Sequence, residues 1–190
     1  MQEMNVDPDG RFTLTGRLKY RYGEKIDLPD HIKTIVYFIE AMAKAYSKYM
    51  ASDGKLVGQE KANLKKYIRE LLKSILILRL YLSKEYLDDM YPESQELETG
   101  FSYSLVLDEA DFTLSGNINP REFNRYKTFK QWLEESVLPL LKEFGNEIRA
   151  TLKDGVLTKE EVTWLNKTLD KMLHTLLLMD YRITHYSMRS

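Results

Sequence analysis

Residues Phe12–Leu18 read FTLTGRL, and residues Phe112–Ile118 read FTLSGNI. Four positions are identical, two are conservative, and the offset is 100. A second match follows in the same order. Asp53, Gly54, Leu56, Glu60, Leu64, Lys66 and Leu72 correspond to Asp154, Gly155, Leu157, Glu161, Leu165, Lys167 and Leu173 at an offset of 101. Either match alone is short enough to arise by accident. Two colinear matches whose offsets differ by one residue point to a duplicated unit.

Each copy reads as a hairpin followed by two helices. In the first, Phe12, Leu14, Leu18, Tyr20 and Tyr22 alternate as in a half-buried strand, and Gly16 is expected at a tight turn. In the second, Phe101, Tyr103, Leu105 and Leu107 alternate, Phe112, Leu114 and Ile118 follow, and Gly116-Asn117 is the turn signal. The first helix of copy one is expected to be capped by Asp30 and to bury Ile32, Ile35, Val36, Ile39, Met42, Ala43, Tyr46 and Met50. Its counterpart runs through Trp132, Leu133, Val137, Leu141, Phe144 and Ile148, with Pro139 set to kink it.

The second helix of each unit follows an Asp-Gly turn. One spans Gly58 to Leu82, and the other runs from Thr158 to about Tyr181. Thr158 and Glu161 have capping-box spacing. Both helices end in runs that are apolar on most sides, Ile75–Leu80 and Leu176–Met179, so they should pack against each other at the centre.

The reading is therefore an α+β, predominantly helical protein. Two duplicated units form a pseudo-twofold bundle, and their hairpins flank it or join in one small antiparallel sheet. Residues 1–82 make the first repeat, 83–100 an acidic linker, and 101–190 the second repeat. The whole is expected to form one compact unit.

The turn between the helices of each copy resembles a degenerate EF-hand loop. Asp53 and Asp154 fall at loop position five, Gly54 and Gly155 at six, and Glu60 and Glu161 at twelve. Positions one and three hold Tyr49 and Ala51, or Ala150 and Leu152, which offer no side-chain carboxylate. The resemblance implies a helix-loop-helix shape rather than an ion, with Asp53, Gly54, Glu60, Asp154, Gly155, Thr158 and Glu161 as turn and cap residues. Asn5, Asp7, Asp9 and Gly10 repeat the spacing near the N-terminus, and there too a turn is expected.

Net charge near −1 is shared evenly, with 16 basic and 16 acidic residues in the first hundred and 12 and 13 in the rest. Neither half has the basic excess of a dedicated nucleic-acid module. One local exception is Gly16–Tyr22 (GRLKYRY), where Arg17, Lys19 and Arg21 would share one face of a strand and hold phosphates. Cysteine is absent, which excludes disulfides and thiolate chemistry. His31, His174 and His185 are not at metal-ligand spacing, and no catalytic signature or cofactor motif occurs. No cofactor is expected.

The expectation is a cytoplasmic, non-membrane, non-catalytic interaction protein that binds a protein partner or itself. The thirteen tyrosines suit such surfaces. A nucleic-acid regulator using Arg17, Lys19 and Arg21 is the alternative. An enzyme with its site in the cleft between the repeats is the third reading.

Overall fold

The computed structural model describes residues 3–21, 24–53, 58–87, 100–123 and 157–185, with isolated positions between 131 and 150. The fold is α+β. Strands β1 (Glu3–Val6) and β2 (Arg11–Arg17) form one hairpin, and β3 (Ser102–Asp108) and β4 (Asp111–Asn117) form another. Among the described residues, three long helices accompany them: α1 (Leu28–Asp53), α2 (Gly58–Leu82) and α3 (Lys159–His185).

The hairpins join in one antiparallel sheet of order β1-β2-β4-β3. In the central ladder Leu14 faces Leu114, Phe12 faces Gly116, and Gly16 faces Phe112. Strand alternation sends Phe12, Leu14, Phe112 and Leu114 to the buried face. Thr13, Thr15, Thr113 and Ser115 alternate with them on the other face.

The two turn glycines expected from the sequence lie inside strands instead. Gly16 belongs to β2 and Gly116 to β4, each opposite a phenylalanine. A Cβ on Gly116 would stand 2.0 Å from the Ser102 carbonyl oxygen. Glycine is there because neighbouring backbone passes too close for a side chain, not because the chain turns. The first hairpin turns at Asp7–Gly10, where Gly10 adopts a φ of 96° and its amide donates to the Asp7 carbonyl at 3.0 Å. The second turns at Glu109-Ala110, with Glu109 at a φ of 56°.

Helix α1 begins two residues earlier than Asp30. Its cap is Asp27, whose carboxylate accepts from the Asp30 amide at 3.2 Å while its carbonyl accepts from the His31 amide at 2.9 Å. Asp30 sits in the first turn, where its charge suits the helix dipole. Helix α1 lies antiparallel to α2, as contacts at both ends fix. His31 Nε2 donates to the Ser74 carbonyl at 2.7 Å, and Asn63 Nδ2 donates to the Tyr49 hydroxyl at 2.9 Å.

Helices α2 and α3 pack antiparallel in the middle of the molecule, as their apolar ends require. Leu64, Ile68, Leu71, Leu72, Ile75 and Leu76 meet Leu165, Leu169, Met172, Leu173, Leu176 and Leu177 in one buried cluster. Each fully buried side chain of this kind contributes about 1.5–3 kcal/mol. The sheet covers α3: Phe101, just before β3, stacks on the His174 ring at 4.6 Å. Tyr181 donates to the Pro8 carbonyl at 2.9 Å, and His185 Nε2 donates to the Val6 carbonyl at 2.5 Å. These bonds tie the first hairpin to the end of the last helix. Beyond α2 the chain makes a π turn, Ser83–Leu87. Residues 88–99 of the acidic linker, and the helix expected around Pro139, lie largely outside the described residues. Among the described residues no helix is long and apolar enough to cross a membrane.

Candidate functional site

The residues singled out in the sequence fall in several places. Arg17 ends β2, so Lys19 and Arg21 follow the strand rather than extend it. Alternation persists past the strand end all the same. Leu18 and Tyr20 are buried, while Arg17, Lys19 and Arg21 are exposed. Acidic groups flank the stretch: Arg17 lies 3.4 Å from Asp111, and Glu24 accepts from the Arg21 amide at 2.9 Å. Tyr22 lies outside the described residues.

Of the turn and cap residues, Thr158 and Glu161 make the expected reciprocal pair. The Glu161 amide donates to Thr158 Oγ1 at 3.1 Å, and the Thr158 amide donates to Glu161 Oε1 at 3.2 Å. Glu60 stands in the first turn of α2. Asp53 is the last residue of α1. Gly54, Asp154 and Gly155 lie outside the described residues.

A group of charged and polar side chains that the sequence reading did not anticipate is buried between α2, α3 and the sheet. Arg79 Nε donates to Asp170 Oδ1 at 3.1 Å, and its Nη1 donates to Ser83 Oγ at 2.6 Å. The Tyr103 hydroxyl donates to the same Asp170 oxygen at 2.6 Å. Asn166 Nδ2 reaches Ser83 at 3.4 Å. Burial works against the Arg79 charge, but Tyr103 and Asp170 outweigh it and hold the guanidinium pKa above its usual value. Burial, with help from Asp170, holds the Tyr103 phenol in its neutral form far above the usual range. The phenol therefore acts as a donor, and the network links the second hairpin to both central helices.

A second buried acid, Asp180, sits nearer the start of α2. Lys65 Nζ approaches its Oδ1 at 3.7 Å, and Arg69 and His185 also act on it. Burial dominates, so its pKa is raised despite these cations. His174 is buried as well, its pKa pushed down to about 4 by burial. Its Nε2 has no hydrogen-bond partner among the described residues. These groups are enclosed by packed side chains and arranged to fasten elements together.

Concave surface lies instead along α1. One hollow of about 450 Å³ is lined by Tyr37, Tyr49 and Tyr67, by the small Ala41 and Ala45, and by Glu40, Lys44 and Lys48. A second, of about 560 Å³, is lined by Pro29, Ile32, Val36 and Tyr37, with Lys33 and Arg149 beside them. Tyr37 and Glu40 line both, so the two adjoin. Tyr37 is 64% exposed, the most exposed large hydrophobic side chain among the described residues.

The sequence pattern placed Ile32 and Val36 on the buried stripe of α1, where they are half-exposed. Ile35, Met42 and Tyr46 alone are fully buried on this helix among its described side chains. The signal for a surface was present in the tyrosines. What the sequence did not show is that Ala41 and Ala45 line a hollow together with them. Comparison with known families, with curated proteins and with solved structures finds no match to this chain.

Proposed function

We propose that this chain is a non-catalytic interaction protein that binds a protein partner along the tyrosine-lined trough of α1. The observation that carries this reading is Tyr37, two-thirds exposed at the junction of two hollows. Rigid aromatic side chains lining a hollow together with small residues suit the anchors of a helix-in-groove interaction. The charge around the trough selects among helices. Among the described residues, Lys33, Lys44, Lys48 and Arg149 line it against one acid, Glu40. Residues 28–73 together carry nine basic and five acidic residues. The partner is therefore an amphipathic helix with acidic residues flanking its apolar face.

Two features support the duplication as the origin of this architecture. The β2–β4 ladder is self-complementary: Leu14 meets its equivalent Leu114, while Phe12 meets Gly116, the equivalent of Gly16. Charged residues at the helix interface follow the offset of 101. Arg69 corresponds to Asp170 and Arg79 to Asp180: Arg79 is bonded to Asp170, and the Arg69 charge acts on Asp180, whose ion-pair partner is Lys65. A pseudo-twofold axis between α2 and α3 accounts for both relations.

The reading is tested by size-exclusion chromatography with light scattering on the chain drawn from its own cells. Absorbance at 260 and 280 nm is recorded at low and at high salt. Co-elution with protein alone, weakened by Tyr37→Glu, is the expected result. Nucleic acid that co-elutes at low salt and leaves at high salt, and is lost in Arg17→Glu/Lys19→Glu/Arg21→Glu, would overturn it in favour of a nucleic-acid regulator.

A further inference from the structure

We propose that the outer edge of β3 is a self-association surface, on which β3 of a second copy pairs antiparallel about Leu105. The sheet order leaves β1 and β3 at its two edges, and the edges differ in kind. Strand β1 has four residues, and its exposed end carries Glu3. It is also held against α3 through Val6 and Pro8. Strand β3 has seven residues, SYSLVLD, in unbroken register with β4. It contains no proline, lysine or glycine, and its one charge is the terminal Asp108. A long edge with a single terminal charge presents a row of backbone donors and acceptors with the spacing of another strand. Among the described residues, no strand pairs with that side.

The side chains favour a second copy as the occupant. With Leu105 opposite its own counterpart, Tyr103 falls opposite Leu107, Ser104 opposite Val106, and Ser102 opposite Asp108. Tyr103 and Leu105 are buried, and Leu107 is half-buried at the rim of the core. Pairing would cover Leu107 and prolong the apolar layer across the join. On the open face Val106 is 60% exposed and would gain a serine neighbour. No like charges meet anywhere in this register. The chain already joins its own hairpins this way, through β2 and β4 about Leu14 and Leu114. One strand pair buries less than the roughly 800 Å² per partner of a standard interface, so the dimer is weak and concentration-dependent.

The inference goes beyond the α1 reading and does not depend on it. Sedimentation velocity across a concentration series tests it with three chains: wild type, Ser104→Lys/Val106→Lys and Ser104→Lys/Val106→Glu. All substituted positions are exposed, and circular dichroism confirms that the fold is kept. The wild type is expected to pass from one-chain to two-chain mass. The Lys/Lys variant sets like charges opposite each other twice, and its dimerisation should weaken about tenfold or more. The Lys/Glu variant sets opposite charges across the join and should recover at least the wild-type affinity. A wild type that stays at one-chain mass throughout, or a Lys/Lys variant that associates as the wild type does, would overturn the proposal. Tyr37→Glu should leave this dimer unchanged, so failure here is separable from failure at α1.

Discussion

Leu14 lies directly opposite Leu114 in the ladder that joins β2 to β4, and neither side chain is exposed. From that pair the sheet reads alike in both directions, with Thr13 facing Ser115 and Thr15 facing Thr113. The absence of native cysteine makes the register directly measurable. A Thr13→Cys/Ser115→Cys chain should close an intramolecular disulfide under mild oxidation, because direct cross-strand neighbours have Cβ atoms about 4.5–5.5 Å apart, a small backbone shift from the roughly 3.5–4.5 Å that a disulfide needs. A Thr13→Cys/Thr113→Cys chain places the thiols on a diagonal and should close far more slowly. Mass spectrometry of the non-reduced protein distinguishes the two.

Gly116 should not tolerate a side chain. Its added Cβ would meet the Ser102 carbonyl at 2.0 Å and the Tyr103 Cα at 2.7 Å, both of them backbone atoms that cannot swing aside. Gly116→Ala is expected to cost about 3 kcal/mol, measured as a fall in the urea midpoint. Glu109 presents the reverse case. It is exposed and holds a φ of 56°, a conformation that favours glycine. Glu109→Gly should leave stability unchanged or raise it by up to about 1 kcal/mol in the same assay.

The buried network gives asymmetric costs. Asp170→Asn leaves the Arg79 guanidinium without its counter-charge and should destabilise the fold by about 3–5 kcal/mol. Tyr103→Phe removes one hydrogen bond to a charged acceptor and should cost about 1.5–3 kcal/mol. Arg79→Met with Asp170→Leu removes both charges at once. That double variant should recover most of the stability lost by Asp170→Asn, as denaturant melts would show.

Acid should weaken the fold through His174. Its folded pKa is about 4, below the ordinary imidazole value of 6.5, so the unfolded chain takes up a proton that the folded chain refuses. The stability is intact above pH 6.5 and is lost as pH falls from there toward 4, on the order of 3 kcal/mol in all. His31, also lowered by burial, acts in the same direction. Asp180 acts the other way: its pKa is raised, so protonating it favours the folded state as pH falls. His174→Phe should therefore flatten the slope of stability between pH 6.5 and 4. An unchanged slope would remove His174 from this role.

Much of the architecture was legible because it rests on local patterns. Helix α2 spans Gly58–Leu82 as its apolar spacing requires, and Thr158 with Glu161 marks the start of α3. The glycines misled because Gly16 and Gly116 look the same whether the chain turns or runs on as a strand, and only the pairing of two distant hairpins distinguishes these. Asp30 misled because Asp27 stood three residues earlier with the same capping chemistry. The Arg79–Asp170 pair was visible only as a charge interrupting an apolar run. Its partner lies 91 residues away, and no local rule connects them. The trough depends on which side chains of α1 and α2 meet around Tyr37, Tyr49 and Tyr67, a property of packing rather than of periodicity.

The most direct measurement for the functional reading is site-specific photocrosslinking in the cells that make this protein. Benzoylphenylalanine is installed in place of Tyr37, and in a control chain in place of Thr13 on the open face of the sheet. The account predicts a discrete protein adduct from the Tyr37 position, absent from the control, and abolished when Ala41→Trp fills the trough. An adduct from Thr13 with none from Tyr37, or a Tyr37 adduct indifferent to Ala41→Trp, would contradict it.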